Sequence, residues 1–487
     1  MPNSEKTPSS IKDVESGSVN DASHEVAFDP NVVGSLKRKA DFILLPILAV
    51  AYLFNSLDRS NLSNAHTAGL EDDLGLVGNQ FNQVLTYYQI PFVVLGPFVT
   101  MSTKIIGARI SITIMLLVFG AASLATGFVT DFKQLVICRV FVGAFEAGFL
   151  ASCMFYLSLW YTRKELATRI GIFYASLVSA SAFGGLLSFG MFQLTPGKYY
   201  TWSYLFFLEG SITMFWAILI FLGLPSSTQS AWWLNKAEKE IAQLRLEQDS
   251  VQSLESKFAW GEAFLEFRSL HGYIRVVLSF LSGIVLTSNA NFLAMVVRRL
   301  GYGTVKTNLY TVAPALTGAA LLVIWCRLSD HFRERGLHSA AAIIVSLVSY
   351  IILMTVSTNS MGVLYFAMFL CTIGAYPNTP IGSAWTMANV PNLNARALLG
   401  GVTIAAGNCG GFVSSNVYIS QEAPRYITSL RVNVAVCSIS FALCVLYTLW
   451  MRWENRRRDR LQSRSHGSVY VTEGVASTKD PRFRFQV

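Results

Sequence analysis

The chain has 487 residues, of which 52% are hydrophobic and 14% charged, and its formal net charge is +9. Soluble globular domains carry about 25% charged residues, whereas the apolar residues here gather into charge-free blocks such as 110–129 and 340–356, which excludes a large soluble protein with buried helices. The positive charge comes without a basic stripe interleaved with stacking aromatics, which excludes nucleic acid as the partner and leaves Lys and Arg enrichment in loops and tails as its source.

In chain order, residues 1–40 read as a disordered cytoplasmic tail: positions 1–36 are rich in Ser, Asp, Glu and Asn and hold no apolar signal-peptide core. The first span is then expected to direct insertion. A helix of ~20 apolar residues matches the ~30 Å hydrocarbon layer. Hydropathy predicts twelve such spans, near 42–58, 81–101, 110–129, 134–158, 169–193, 203–223, 273–296, 308–328, 339–357, 362–387, 398–420 and 430–451. The expected fold class is an all-α membrane protein of twelve transmembrane helices in two six-helix halves, 41–223 and 273–452. Residues 59–80 are expected to form a polar loop with Glu71, Asp72 and Asp73. Residues 224–272 form a charged cytoplasmic linker, and 453–487 a cytoplasmic tail. In the linker, Trp232, Trp233 and Leu234 precede Ala237–Leu246, whose mixed charges fit an amphipathic helix on the membrane surface and equally a solvated linker helix.

Basic residues near span ends set the orientation. Lys37, Arg38 and Lys39 precede the first span, and Arg452, Arg456, Arg457, Arg458 and Arg460 follow the last, so both termini are expected in the cytoplasm. Arg163, Lys164 and Arg169 after span 4 agree, as do Arg327, Arg333 and Arg335 after span 8; Arg298, Arg299 and Lys306 after span 7 disagree. The seven cysteines follow no metal-site spacing. Basic loops at 102–109 and 327–336 stand at equivalent places in the two halves, the sign of a duplicated six-helix unit with its site between the halves.

Several stretches then carry a resemblance. They are Ser-Leu-Asp-Arg-Ser-Asn-Leu-Ser-Asn-Ala (56–65), Arg-Val-Phe-Val-Gly-Ala-Phe-Glu-Ala-Gly-Phe (139–149), Tyr-Leu-Ser-Leu-Trp-Tyr-Thr-Arg-Lys-Glu (156–165) and Trp-Ser-Tyr-Leu-Phe-Phe-Leu-Glu-Gly (202–210). In the second half come Leu-Gly-Tyr (300–302), Ser-Asp-His-Phe-Arg-Glu-Arg-Gly (329–336), Gly-Asn-Cys-Gly-Gly (407–411) and Glu-Ala-Pro-Arg-Tyr (422–426). In this order they resemble a major facilitator superfamily transporter, and more narrowly the fungal allantoate permease branch of the anion:cation symporter family, over residues 40–455. The resemblance implies the major facilitator fold. The chain departs from the family pattern in three places. The loop after span 2 lacks an acidic residue, His331 stands where an Arg is usual, and 150–153 read Leu-Ala-Ser-Cys in place of a Pro-Gly pair.

Intramembrane charges are costly and mark function. Arg139 and Glu146 are seven residues apart in span 4, ~10.5 Å along one helix face, which can point into a central cavity. Arg keeps its proton and can hold an organic anion with two hydrogen bonds; Glu can take and release a proton. In relatives the matching positions are associated with anion binding and proton coupling, and the resemblance carries those roles to Arg139 and Glu146. Bracing of the helix packing is the alternative. Asp58 and Arg59 are read as ending span 1; the resemblance favours substrate binding by Arg59, against an interfacial pair. Asn289, Asn291, Asn389 and Asn408 can orient a polar solute or bond between helices. Tyr174, Tyr376 and Trp385 can line a cavity or simply pack. Pro377 and Pro380 break span 10, and Gly407, Gly410 and Gly411 either loosen span 11 or let it pack closely. Asp330, Arg333 and Arg335 are expected to contact helix ends at the cytoplasmic face and latch the outward-facing state, or simply to mark topology.

The reading is a secondary transporter for proton-coupled uptake of a small organic anion: a carboxylated vitamin, a ureide or a similar nutrient. Export of a fungal secondary metabolite by the same fold is the alternative, and a non-transporting nutrient sensor is the alternative of another class. No nucleotide-binding loop and no nucleophile–base or metal-ligand constellation is present, so no enzyme and no cofactor is expected. The expected partners are the solute, protons and the bilayer. The chain is expected to act as a multi-pass monomer of the plasma membrane.

Overall fold

The structure is a computed structural model that describes residues 29–78, 80–193, 197–249, 259–298, 304–357, 359–417, 422, 425–461 and 478–487. The expected tail over 1–28, the Leu-Gly-Tyr turn at 300–302, Arg299, and the side chains of Asn291, Arg298 and Lys306 lie outside the described residues.

Among the described residues every regular element is helical. Eleven helices are long and apolar enough to cross a bilayer, and Leu166–Phe192 completes a set of twelve spans. The first half comprises span 1 (Pro30–Thr67), span 2 (Gln80–Ile106), span 3 (Ala108–Thr126), span 4 (Phe132–Glu146 continued by Phe149–Leu157), span 5 (Leu166–Phe192) and span 6 (Ser203–Gly223). The second half comprises span 7 (Leu270–Arg298), span 8 (Thr304–Phe332), span 9 (Gly336–Thr355), span 10 (Met361–Ala375 continued by Asn378–Ala388), span 11 (Leu393–Asn416) and span 12 (Ile427–Leu461). Large apolar side chains such as Phe98, Phe215, Leu222, Phe366 and Leu446 stand exposed on the outer faces. A lipid-facing surface accepts them, and helices satisfy their own backbone there.

Capping side chains fix two of the starts. Asp131 Oδ1 accepts from Gln134 N (2.9 Å) ahead of span 4, and Asn392 Oδ1 accepts from Asn394 N and Ala395 N ahead of span 11. Span 10 breaks at Tyr376–Pro377, as the proline predicts. The glycines of span 11 serve close approach: a Cβ on Gly283 of span 7 would overlap the Gly407 carbonyl, and one on Gly410 would crowd Phe280 O and Ile284 N. That contact sets the two helices together, the close-packing alternative for Gly407 and Gly410.

Three boundaries differ from those hydropathy predicts. Span 1 begins at Pro30, within the expected tail, and continues to Thr67. Arg59 therefore lies inside a helix and not at its end. The polar residues after it misled hydropathy because their partners sit on other helices: Asn61 donates to Glu209 of span 6 and Asn64 to Ser188 of span 5. At 38 residues, span 1 is about 57 Å long, well beyond the ~30 Å hydrocarbon layer. Span 12 likewise runs 35 residues to Leu461. Third, residues 478–487 are packed into the second half, with Phe483 and Phe485 fully buried.

The linker helix, Lys236–Asp249, packs against the first half and is not merely solvated. Ile241, Ala242 and Leu246 are buried, Glu238 accepts from Lys39 Nζ (2.8 Å) and Ser35, and Arg245 reaches Glu165 (3.0 Å). Burial alone pushes the Glu238 carboxyl up; the bonds from Lys39, Asn235 and Ser35 outweigh it and hold the group below the usual carboxylate range. Lys37–Glu165, Asp41–Arg169 and Glu334–Arg452 pairs gather the start of span 1, loop 4–5, loop 8–9 and the end of span 12 on one face of the molecule.

Candidate functional site

Two charge clusters lie inside the first half. Span 1 supplies Asp58 and Arg59, which point about 100° apart as neighbours on a helix and so take different partners. Arg59 Nε donates to Glu146 Oε1 on span 4, Tyr88 of span 2 donates to Glu146 Oε2 (3.0 Å), and the guanidinium lies over the Phe92 ring at 4.6 Å. Glu146 is buried, while the Arg59 side chain keeps 28% of its exposure. Tyr88 reaches Glu146 because span 4 approaches span 2 closely: at Gly143 a Cβ would overlap the Tyr88 carbonyl. Below it, Tyr52 packs between Phe173 and Tyr174, with ring centroids at 4.7 and 6.1 Å. Tyr174 meets Thr379 of span 10, and Tyr376 packs on the same cluster. The floor is thus shared by both halves.

The second cluster is enclosed. Arg139 NH1 is 3.8 Å from Asp58 Oδ2, its guanidinium lies 5.2 Å from the Phe206 ring centre, and it is 2% exposed. Ser123 of span 3 donates to Asp58 Oδ1. Arg139 is therefore packed among spans 1, 3, 4 and 6. The expectation that it stands beside Glu146 on an open face, free to clamp an anion, is corrected by this burial. Glu209, which ends the 202–209 part of a motif quoted above without any role, accepts from Asn61 Nδ2; its Oε1 has no partner and no described cation pairs with it.

The remaining expected residues scatter. Asn289 is fully buried and accepts from Thr372 Oγ1 (3.2 Å), joining spans 7 and 10. Asn408 Nδ2 donates to Ile404 O of its own helix (2.8 Å). Trp385 lies at the far end of span 10, borders a small cavity inside the second half with Arg275, Ser279 and Thr403, and donates to Gln486 O (2.9 Å). It belongs to the second half's own packing and not to a surface shared with Arg59. Tyr376 alone of these packs against the shared floor.

The expected latch residues divide similarly. Asp330 accepts from Ala167 N (3.3 Å), Thr168 N (2.6 Å) and Thr168 Oγ1 of span 5, and from Arg335. Arg335 is fully buried and also donates to Arg163 O (2.7 Å), while Arg163 NH1 donates to Ala388 O (3.3 Å). These contacts bind the halves on the face that carries loops 4–5 and 8–9. Arg333 takes no part: it is exposed, with φ of 54° in the turn. Sequence reading missed Tyr88, Arg163 and Ala388; only the Tyr-Thr-Arg-Lys-Glu motif around Arg163 signalled any of them.

Comparison with known proteins agrees with this architecture. The family model described as Major Facilitator Superfamily matches residues 48–415. The MFS-type transporter efuF of Hormonema carpetanum is 39% identical over 90% of this chain and 89% of its own. The high-affinity nicotinic acid transporter of Saccharomyces cerevisiae is 28% identical over 92% and 84%. Among solved structures, the proton:xylose symporter XylE superposes with a TM-score of 0.67 at 14% identity, covering 85% of this chain and 95% of that one.

Proposed function

The chain belongs to the Major Facilitator Superfamily, and from that premise we propose that it takes up a small organic anion together with protons. The observation that carries this reading is the Arg59–Glu146–Tyr88 cluster. It holds a permanent cation, part-exposed above an aromatic floor, and the carboxylate opposite it can be neutralised by a proton.

While Glu146 is ionised it occupies Arg59, and a substrate carboxylate must displace it. A proton on Glu146 removes that competitor, and Arg59 turns its paired N–H groups to the incoming anion. When the proton leaves on the other side, Glu146 recaptures Arg59 and the anion is expelled. Substrate and proton therefore travel together because they are coupled at one guanidinium, and neither needs to touch the other. Tyr376, part-exposed on the shared floor, would offer flat apolar contact to a ring-bearing acid. The similarity to a protein named as a nicotinic acid transporter supports a carboxylated heterocycle of that size. In this reading the chain acts as a monomer in the plasma membrane with both termini cytoplasmic, and the closed face at Asp330 and Arg335 is the cytoplasmic one.

The test is uptake of labelled nicotinate and of other carboxylates into proteoliposomes under an imposed pH gradient, acid outside. The expected result is accumulation above the outside level that a protonophore abolishes. Uptake that only equilibrates, or that ignores the protonophore, refutes the coupling. Acid-driven loss of preloaded anion from the vesicles would point to export.

A further inference from the structure

Residues 478–487 were expected to be tail, and they occupy a groove at the closed face of the second half. Phe483 and Phe485, two apart, are both fully buried, and Arg484 between them turns away to Asp459 (2.7 Å), the alternation of an extended strand. The groove reads the backbone of this segment. Asn455 of span 12 accepts from Phe485 N (2.9 Å) and donates to Phe485 O (2.8 Å); Asn389 at the end of span 10 accepts from Gln486 N and donates to Gln486 O, both 2.8 Å. Arg458 donates to the carbonyls of Thr478 (3.1 Å), Asp480 (3.2 Å) and Phe483 (2.9 Å). His271, stacked on Trp450, forms the wall against Phe485 at 4.5 Å. Paired donor and acceptor contacts of this kind select an extended peptide more than a side-chain sequence, with two aromatic anchors setting its register.

The position of the groove matters as much as its fit. Besides Asp330 on Ala167 N, Thr168 N and Thr168 Oγ1, the second half grips the first at Arg163 through two groups, the Arg335 guanidinium on Arg163 O and the Ala388 carbonyl on Arg163 NH1. The segment holds both places. Val487 O accepts from Arg335 N (2.7 Å), and Gln486 is clasped by Asn389, the residue next to Ala388. Opening this face must part Arg163 from both anchors, and both are fixed while the segment is seated.

We propose that this groove is a peptide-binding site whose ligand is the chain's own 478–487 segment, and that its occupancy holds the closed face shut and slows the transport cycle. A seated segment shifts the equilibrium by its preference for the closed arrangement of Arg335 and Ala388. The proposal rests on the gate assignment of Asp330 and Arg335 and not on the identity of the solute or on proton coupling.

The experiment therefore needs no substrate. Spin labels at Lys164→Cys and His331→Cys, both exposed on opposite sides of the gate, report its opening in the full chain, with the part-exposed Cys138 and Cys409 replaced by Ser. Loss of 478–487 is expected to raise the ratio of open to closed gate about tenfold. A synthetic 478–487 peptide should reverse the change, and a scrambled peptide should not. Because a truncated chain can misfold, Gln486→Pro is measured alongside it; it removes one N–H from Asn389 and leaves both phenyl anchors. An unchanged distance distribution in folded Gln486→Pro and truncated protein overturns the proposal, as does a truncation effect that the peptide fails to reverse. Should nicotinate uptake fail in the preceding test while the peptide still closes the gate, the solute assignment is lost and this one stands.

Discussion

Glu146→Gln probes the coupling most directly. The substitution keeps the shape of the side chain and an oxygen for Tyr88, and removes the charge that occupies Arg59. A hydrogen bond to a charged group contributes about 1.5–3 kcal/mol and a neutral one about 0.5–1.5, so an arriving anion should displace the amide with about 1.4 kcal/mol less opposition, a tenfold gain in affinity. Nicotinate binding to purified protein by titration calorimetry should tighten about tenfold at pH 7.5. In the parent, acidification should tighten binding as the competitor is neutralised; in the variant that pH dependence should be gone. Counterflow exchange should persist while accumulation against a gradient is lost. A variant that binds no better than the parent at pH 7.5, or keeps its pH dependence, refutes the competition at Arg59.

Arg139→Gln leaves Asp58 buried without its cation, a loss of about 3–5 kcal/mol; melting in detergent should fall sharply and recover in Asp58→Asn/Arg139→Gln. If Arg139→Gln melts like the parent and raises only the apparent KM, the clamp role belongs to Arg139 after all. Gly143→Ala pushes span 2 off span 4 at the Tyr88 carbonyl, costing about 1–3 kcal/mol of overpacking and detaching Tyr88 from Glu146, so both melting temperature and uptake should drop. Tyr88→Phe should lower uptake with little change in melting. Because the Glu238 carboxyl is held below its usual range, its contribution to linker docking is complete at neutral pH and is lost as pH falls below about 4; a spin label on the exposed Glu240→Cys should gain mobility there and not at pH 6.

The twelve spans were legible because a bilayer demands long charge-free runs, and the chain supplies them. Polarity inside a span was not legible as structure. Ser60, Asn61 and Asn64 lower the hydropathy of span 1 enough to hide nine residues of helix, 59–67, and the partners of Asn61 and Asn64 on spans 6 and 5 explain two of them. The site was half legible. Spacing put Arg139 and Glu146 on one face of span 4, but spacing along one helix says nothing of which neighbour arrives opposite. Span 1 brings Asp58 to the first and Arg59 to the second, and that turns an expected clamp into a buried brace. At the gate the residue types were correct for Asp330 and Arg335, yet Arg333, two positions away, points into solvent because the turn there has the other backbone hand. The seat of 478–487 had no periodic signal at all, since an extended peptide in a groove obeys the groove.

Span 1 and span 12 each carry about ten residues past the hydrocarbon layer on the same face, roughly 15 Å of uninterrupted helix joined to different halves. Such rigid stubs make natural handles. An antibody fragment on either would give a small membrane protein the asymmetric mass that single-particle imaging requires, and a fluorophore on each would turn the tilt of one half against the other into an optical signal.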